Sequence, residues 1–563
     1  MDSTKFLEQI IERDRFEFIG PEFLRLRRPV TVNILIVVDG GISFSQTGFG
    51  LGLLLDTLRE PAYDYVRFNV ELATRNGSTP SENPDAGPYT TRYNGFRFDQ
   101  ATADDELIIN QYDQLWLFGF APGNDAGPDS NIESDYRKLS ELELIHLTGW
   151  MNTHQGGLLA MGDHDYLGAT MCWKIPRIRH MRRWTNAQNV PPIGGLGNPD
   201  THLRHDTNQP RTAGQLAGSD IIPFSAQGDS KPQTIRPRQY YIGRGPIFRA
   251  NYQPHPILCS RRFGVIDILP DHPHEGWVYE DHEIDPNTSY SWSEGGHSIS
   301  GDDFPEVGGH REMPEVIAWA TTTPNPPYLL AKGASPQREF GVIGAYDGHQ
   351  ANVGRVATDA TWHHWFSENL VGMQADASTN HYAMLQDYFR NVAVWLARPA
   401  QQSQMLSVAT WNSLFTVQAF QELGPRFSPF IIGPNAEDVL GRRVSKCTYR
   451  RWIWDFILPE IYPWWRRRLL DPVCLSCPPY ERLEAAALAV VVEEMLPLRD
   501  ESIEKNLSDK KLEQLVDRAF QKAIKRAAPE LLKELDREFS REAKELAGLA
   551  KKVKGTDIKH HCE

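Results

Sequence analysis

The chain has 563 residues, 40% of them hydrophobic and 10% aromatic, enough for a sizeable core and for two or three domains. Its formal net charge of −14 argues against a nucleic-acid partner, because a phosphate backbone rewards clustered Lys and Arg. The charge is uneven: residues 401–563 carry a net +2 and residues 1–400 a net −16, and 16 of the 18 histidines lie between His146 and His381.

Residues 1–30 read as a short amphipathic helix and a connection, without the apolar core of a signal peptide. Val32 to Val38 is a continuous apolar, β-branched run closed by Asp39-Gly40-Gly41, the pattern of a central strand covered on both faces. A helix follows from Gly48. Strands are expected at 66–74 and 114–120. Ser140 and Glu143 form a capping box for a helix over 140–152, and Gly156-Gly157 ends it. GLLAMGDHDYLG (157–168) reads as strand, sharp turn and helix.

Residues 185–310 are rich in Pro, Gly, Asn, Asp and His and read as a long, loop-rich insertion. Strands return at 315–322 and 340–349, and an amphipathic helix over 381–397 ends at Arg398-Pro399. The expected fold is therefore α/β: an open, mostly parallel, flavodoxin-like sheet in domain 1–399, followed by an all-α region, 400–563. That second region holds a Trp- and Arg-dense stretch at 451–470, a buried helix at 481–496 and helical spacing over 508–553, broken at Pro529. Tryptophan and arginine are favoured at interfaces, so 400–563 is a candidate for a protein partner or self-association. Cys474 and Cys477 form a lone CxxC, for which a structural role is expected. No apolar run approaches the roughly 18–20 residues of a membrane span, and the chain reads as cytoplasmic.

In open α/β sheets the ligand site lies beyond the carboxyl ends of the strands. Three apolar runs here end in acid: Val38 in Asp39, Gly162 in Asp163-His164-Asp165, and Tyr346 in Asp347-Gly348-His349. If those strands are parallel, all three ends share one sheet edge. Carboxylates so close need a cation, a proton or an arginine among them, and Arg355 is the candidate arginine. On this reading His164, His349, Asp163, Asp347 and Arg355 are the candidate catalytic groups. Asp39, His164, His349, Asp359 and His363 are the candidate ligands of a divalent ion, zinc or magnesium. Asp359 and His363 would share a helical face at i, i+4, with His364 beside them. His205-Asp206 and Asp271-His272-Pro273-His274-Glu275 are candidate lid residues, and the basic stretch 175–184 pairs with local acids or holds an anion.

The element order, with GGLLAMGDH (156–164) running into a helix, resembles the class I glutamine-amidotransferase-like superfamily. Gly354-Arg355-Val356 and the closing AVWLA (393–397) resemble its ThuA-like branch. The resemblance covers parts of 31–170 and 315–397. It implies a cysteine nucleophile at the sharp strand–helix turn, where this chain has Met161. A thioester mechanism is thereby disfavoured. The expectation is a hydrolase acting on a small polar or sugar-like metabolite, the alternative a non-catalytic ligand-binding or scaffold protein.

Overall fold

The computed structural model describes residues 26–39, 41–75, 89–120, 138–163, 167–184, 228, 230–244, 250–270, 277–321, 339–416, 429–458, 480–505, 510–527, 529 and 544. Two compact units divide them. Pro29–Tyr240 with Gln253–Met405 forms an α/β unit. The described parts of the second unit are 26–28, 241–244, 250–252 and the chain from 406 on, so the division falls at Met405 and not at a single cut after residue 399.

The α/β unit is built on one ten-stranded sheet. Its central strands are β1 (Val30–Val38), β2 (Val66–Thr74), β4 (Gln114–Phe118) and β5 (Gly157–Met161), with a two-residue edge strand β3 (Tyr93–Asn94). All five pair in parallel. Residues Ile34 to Val38 have no solvent exposure, as a strand covered on both faces requires. Helices α1 (Gly52–Arg59) and α2 (Glu141–Thr153) pack on this half, and the Ser140–Glu143 capping box that starts α2 is formed in full.

The other half of the sheet is antiparallel. It contains β6 (Gln233–Pro237), β7 (Ile268–Leu269), β10 (Glu315–Thr321), β11 (Glu339–Tyr346) and β12 (Val356–Asp359), in the spatial order β7-β6-β10-β11-β12-β5-β4-β1-β2-β3. The expected insertion thus supplies two strands of the main sheet and also a separate hairpin, β8 (Ser289–Glu294) with β9 (His297–Asp302), which packs on α2. β11 runs antiparallel to β12, and β12 runs parallel to β5. Helices α3 (Ser367–Ala375) and α4 (His381–Leu396) complete the unit, and α5 (Pro399–Thr416) begins in it.

The second unit is largely helical: α6 (Pro429–Arg443), α7 (Lys446–Trp452) running into a π turn at Ile453–Ile457, α8 (Tyr480–Lys505) and a helix over 510–527. Trp452 and Trp454 are buried, so the described part of the Trp-rich stretch is core. The Trp454 indole N–H and Arg450 both contact the buried Glu484 on α8, at 2.7 and 3.0 Å. Residues 459–479, which include Cys474 and Cys477, lie outside the described residues, as do 1–25 and most of 528–563. Among the described residues no helix is long and apolar enough to cross a membrane.

Candidate functional site

Sheet register decides which strand ends meet. Val38 pairs with Phe118, Phe118 with Met161, and Met161 with Asp359. The residues that follow, Asp39, Gly119, Gly162-Asp163 and Ala360-Thr361, therefore leave the sheet along one edge. Asp347 does not. Because β11 is antiparallel to β12, Tyr346 pairs with Val356, and Asp347 emerges at the opposite edge.

This corrects the expectation of three converging strand ends. Asp347, His349 and Arg355 sit where β12 begins, away from Asp39 and Asp163. There Arg355 is a structural tie, fully buried. Its Nε donates to Asp347 Oδ1 at 2.7 Å, and its Nη1 donates to the Trp395 carbonyl and to Gln402 Oε1, each at 3.0 Å. The strand end that takes the expected place of Asp347 is Asp359.

Two Asp–His pairs occupy the edge. Asp359 Oδ1 lies 2.7 Å from His364 Nδ1. Its other oxygen, Oδ2, accepts from the Trp365 indole at 2.9 Å and the Tyr388 hydroxyl at 3.2 Å. Burial, then the Asp359 carboxylate, pushes the Tyr388 phenol well above its usual range, so it stays a donor. His364 Nε2 is buried and has no hydrogen-bond partner among the described residues. In the second pair, His363 Nε2 lies 3.6 Å from Asp163 Oδ2, and His363 Nδ1 lies 3.0 Å from Asn369 Oδ1. Thr361 links the pairs: its hydroxyl donates to Asp163 Oδ1 at 2.8 Å and accepts the His363 backbone N–H at 3.1 Å, and its own backbone N–H donates to Asp359 Oδ1 at 3.3 Å. His363 and His364 have no exposure.

Local sequence explains the placement. Thr361 N-caps a single 3-10 turn, Trp362–His364, directly after β12. Asp359 therefore ends a strand, and the expected helical i, i+4 pairing with His363 is not made. Consecutive histidines on so tight a turn point apart, one to each carboxylate. Asp39 is fully buried and accepts the Phe120 backbone N–H, tying the end of β1 to the exit of β4. Beside it the chains cross closely: a Cβ on Gly119 would stand 2.4 Å from the Gly168 Cα, and Gly168 itself has φ +89°.

The cation among these acids is Arg182, from the basic stretch 175–184. It is fully buried, and its Nη2 donates to the carbonyls of Asp163 and Ala360 at 3.0 and 2.7 Å. Burial pushes its guanidinium down to about 10, against the pull of Asp163 and Asp359, so at neutral pH it remains charged. The rest of the stretch does pair with an acid: Arg179 meets the buried Asp303 at 2.6 Å. Cys172 is also buried near the edge, and burial pushes its thiol up, so it is no thiolate nucleophile.

His164, Asp165, His205, Asp206 and 271–275 lie outside the described residues. Of the expected metal ligands, Asp39, Asp359 and His363 share the edge and His349 does not. Among the described residues no three His, Cys, Asp or Glu side chains gather as a metal cage. Thr361, Asn369, Tyr388 and Arg182 were not legible as members of this cluster. Two of them carried a signal, Thr361 as a capping residue before Trp362-His363-His364 and Arg182 as part of the basic stretch 175–184.

Comparison with protein-family models, with curated proteins and with solved structures returns no match.

Proposed function

We propose that the α/β unit is a hydrolase for a small polar or sugar-like metabolite, with its chemistry at the edge formed by Asp39, Asp163 and Asp359. The observation that carries this reading is the Asp359–His364 pair: an imidazole held at Nδ1 by a buried carboxylate, with Nε2 free of protein partners. That is the arrangement of a general base. The carboxylate fixes the tautomer and stabilises the imidazolium that forms when Nε2 takes a proton.

Water is the nucleophile on this reading, since β5 ends in Met161 and the Cys172 thiol is protonated. His364 removes a proton from water as it attacks the substrate carbon and returns it to the leaving group. Arg182 and the backbone N–H groups around the Gly119–Gly168 crossing favour the negative charge that develops. His363, facing Asp163, is the second acid–base group. The kinship with the glutamine-amidotransferase-like superfamily is part of the same proposal and rests on the sequence motifs alone.

A second reading is a non-catalytic ligand-binding or scaffold protein. What favours it is that His363 and His364 have no exposure and that the His363 ring packs against Phe49, Trp362 and Phe366, the setting of a histidine that holds a core together. The test is a panel of chromogenic esters, phosphoesters, amides and glycosides offered to the full chain and to His364→Gln. Turnover by the wild type that vanishes in the folded variant supports the hydrolase. Equal rates from both proteins remove His364 from the chemistry.

A further inference from the structure

One pair of titratable groups outside this edge has no part in it. His146 lies on α2, and His297 opens β9 directly after the Gly295-Gly296 turn of the hairpin. Their rings face each other with centroids 5.4 Å apart and planes at 58°. His146 is half-buried and His297 exposed. Among the described residues neither ring has a hydrogen-bond or ion-pair partner.

The hairpin is bonded to α2 through β8. Glu294 Oε2 accepts the Leu142 backbone N–H at 2.6 Å, and Glu141 Oε2 accepts the Ser293 N–H at 3.1 Å. Asn152 donates to the Tyr290 hydroxyl at 2.8 Å. The hairpin is thus clasped to α2 on either side of the two histidines, and their separation is set by the fold.

We infer that His146 and His297 form a two-histidine site for a divalent transition-metal ion of the zinc or copper class, which staples the hairpin to α2. Two imidazoles sharing such an ion, each with a metal–nitrogen bond of about 2.0–2.1 Å, bring their centroids to roughly 5 Å in a tetrahedral arrangement. The observed 5.4 Å between centroids is close to that spacing. Imidazole is the preferred ligand type for these ions, and neutral rings are required. Asp99 is the acid nearest His146 in effect, but no three-donor group forms here, so water completes the coordination. The inference is independent of the proposed hydrolase.

The test uses the full chain stripped with chelator and titrated with zinc at pH 7.5, with magnesium as control. The wild type is expected to bind one zinc ion more than His297→Ala or His146→Ala, and zinc is expected to raise the melting temperature of the wild type alone. Magnesium should do neither. Copper in the same site should show two nitrogen ligands by electron paramagnetic resonance, reduced to one in either variant. His297 is exposed, so His297→Ala should melt like the wild type in chelator and carries the test if His146→Ala is destabilised. The tail residues His560, His561 and Cys562 are present in every variant and cancel in the comparison. Equal zinc stoichiometry and equal melting shifts in wild type and His297→Ala would overturn the assignment.

Discussion

Arg182 has no exposure and feels the charges of Asp163 and Asp359, yet it bonds to this edge through backbone carbonyls. It donates to the carbonyls of Asp163 and Ala360, the residues that lead into the two Asp–His pairs, and its charge offsets those of Asp163 and Asp359. Replacing it with methionine leaves two carbonyls without their donor and two buried acids without their cation. Arg182→Met is therefore expected to lose about 3–5 kcal/mol of stability, read from urea unfolding. A loss under about 1 kcal/mol would mean that solvent reaches these groups. What was legible at this scale was residue type. The acids Asp39 and Asp163, the histidines His363 and His364, and the need for an arginine all followed from composition and strand ends. Which arginine was not legible, since Arg355 stands beside a strand in the sequence whereas Arg182 follows a short helix well beyond β5 and reaches the edge only in the fold.

At the scale of elements, the decisive fact is the direction of β11. Its sequence, EFGVIGAY, is as apolar as β1 or β5, and an apolar run that will be buried on both faces carries no sign of which way it points. After β5 the chain passes through some 150 residues, long enough to return from either side, so the sequence does not constrain the direction in which β10 and β11 enter. The capping box of α2 and the bounds of β2 could be read because each is a local pattern. The pairing of β11 is not local.

Asp303 gives an element-scale prediction. It follows β9, and it accepts the Arg177 backbone N–H at 2.9 Å and meets Arg179 at 2.6 Å, fastening the expected insertion to the segment after β5. Burial alone would raise its pKa, but hydrogen bonds from His180 and Arg179 outweigh this and hold the carboxyl well below the usual range. A depressed folded-state pKa contributes stability above the unfolded value, near 3.9, that is lost as pH falls below it. The wild type should therefore lose stability from about pH 4 downward more steeply than Asp303→Asn, and the variant should be the less stable at neutral pH. Parallel acid-unfolding curves would show that Asp303 is not coupled to these partners.

For the whole molecule, composition pointed to two regions, and the structure has two units, but not as consecutive pieces. Residues 26–28 belong with the helical unit, where Arg27 pairs with Asp517 at 2.9 Å and its backbone N–H donates to Asn412. Residues 241–244 and 250–252 belong there too. Charge counts cannot reveal such an exchange, because short excursions barely alter a regional sum. Each unit has its own buried core, so calorimetry of the intact chain should resolve two transitions. Trp454→Ala, which removes the indole bonded to Glu484, should lower one of them and leave the other in place. A single transition that moves as a whole would show that the units unfold together.

The proposed function rests on Asp359 and His364 working as a base at the edge of the parallel strands. The most direct measurement is the turnover of a substrate found by panel screening, compared between wild type and His364→Gln, with circular dichroism and melting recorded on both. A general base of this kind contributes about 10²–10⁴-fold, so a folded His364→Gln should lose at least the lower figure in kcat. A folded variant that turns over at the wild-type rate would contradict the account and leave the pair a buried structural contact.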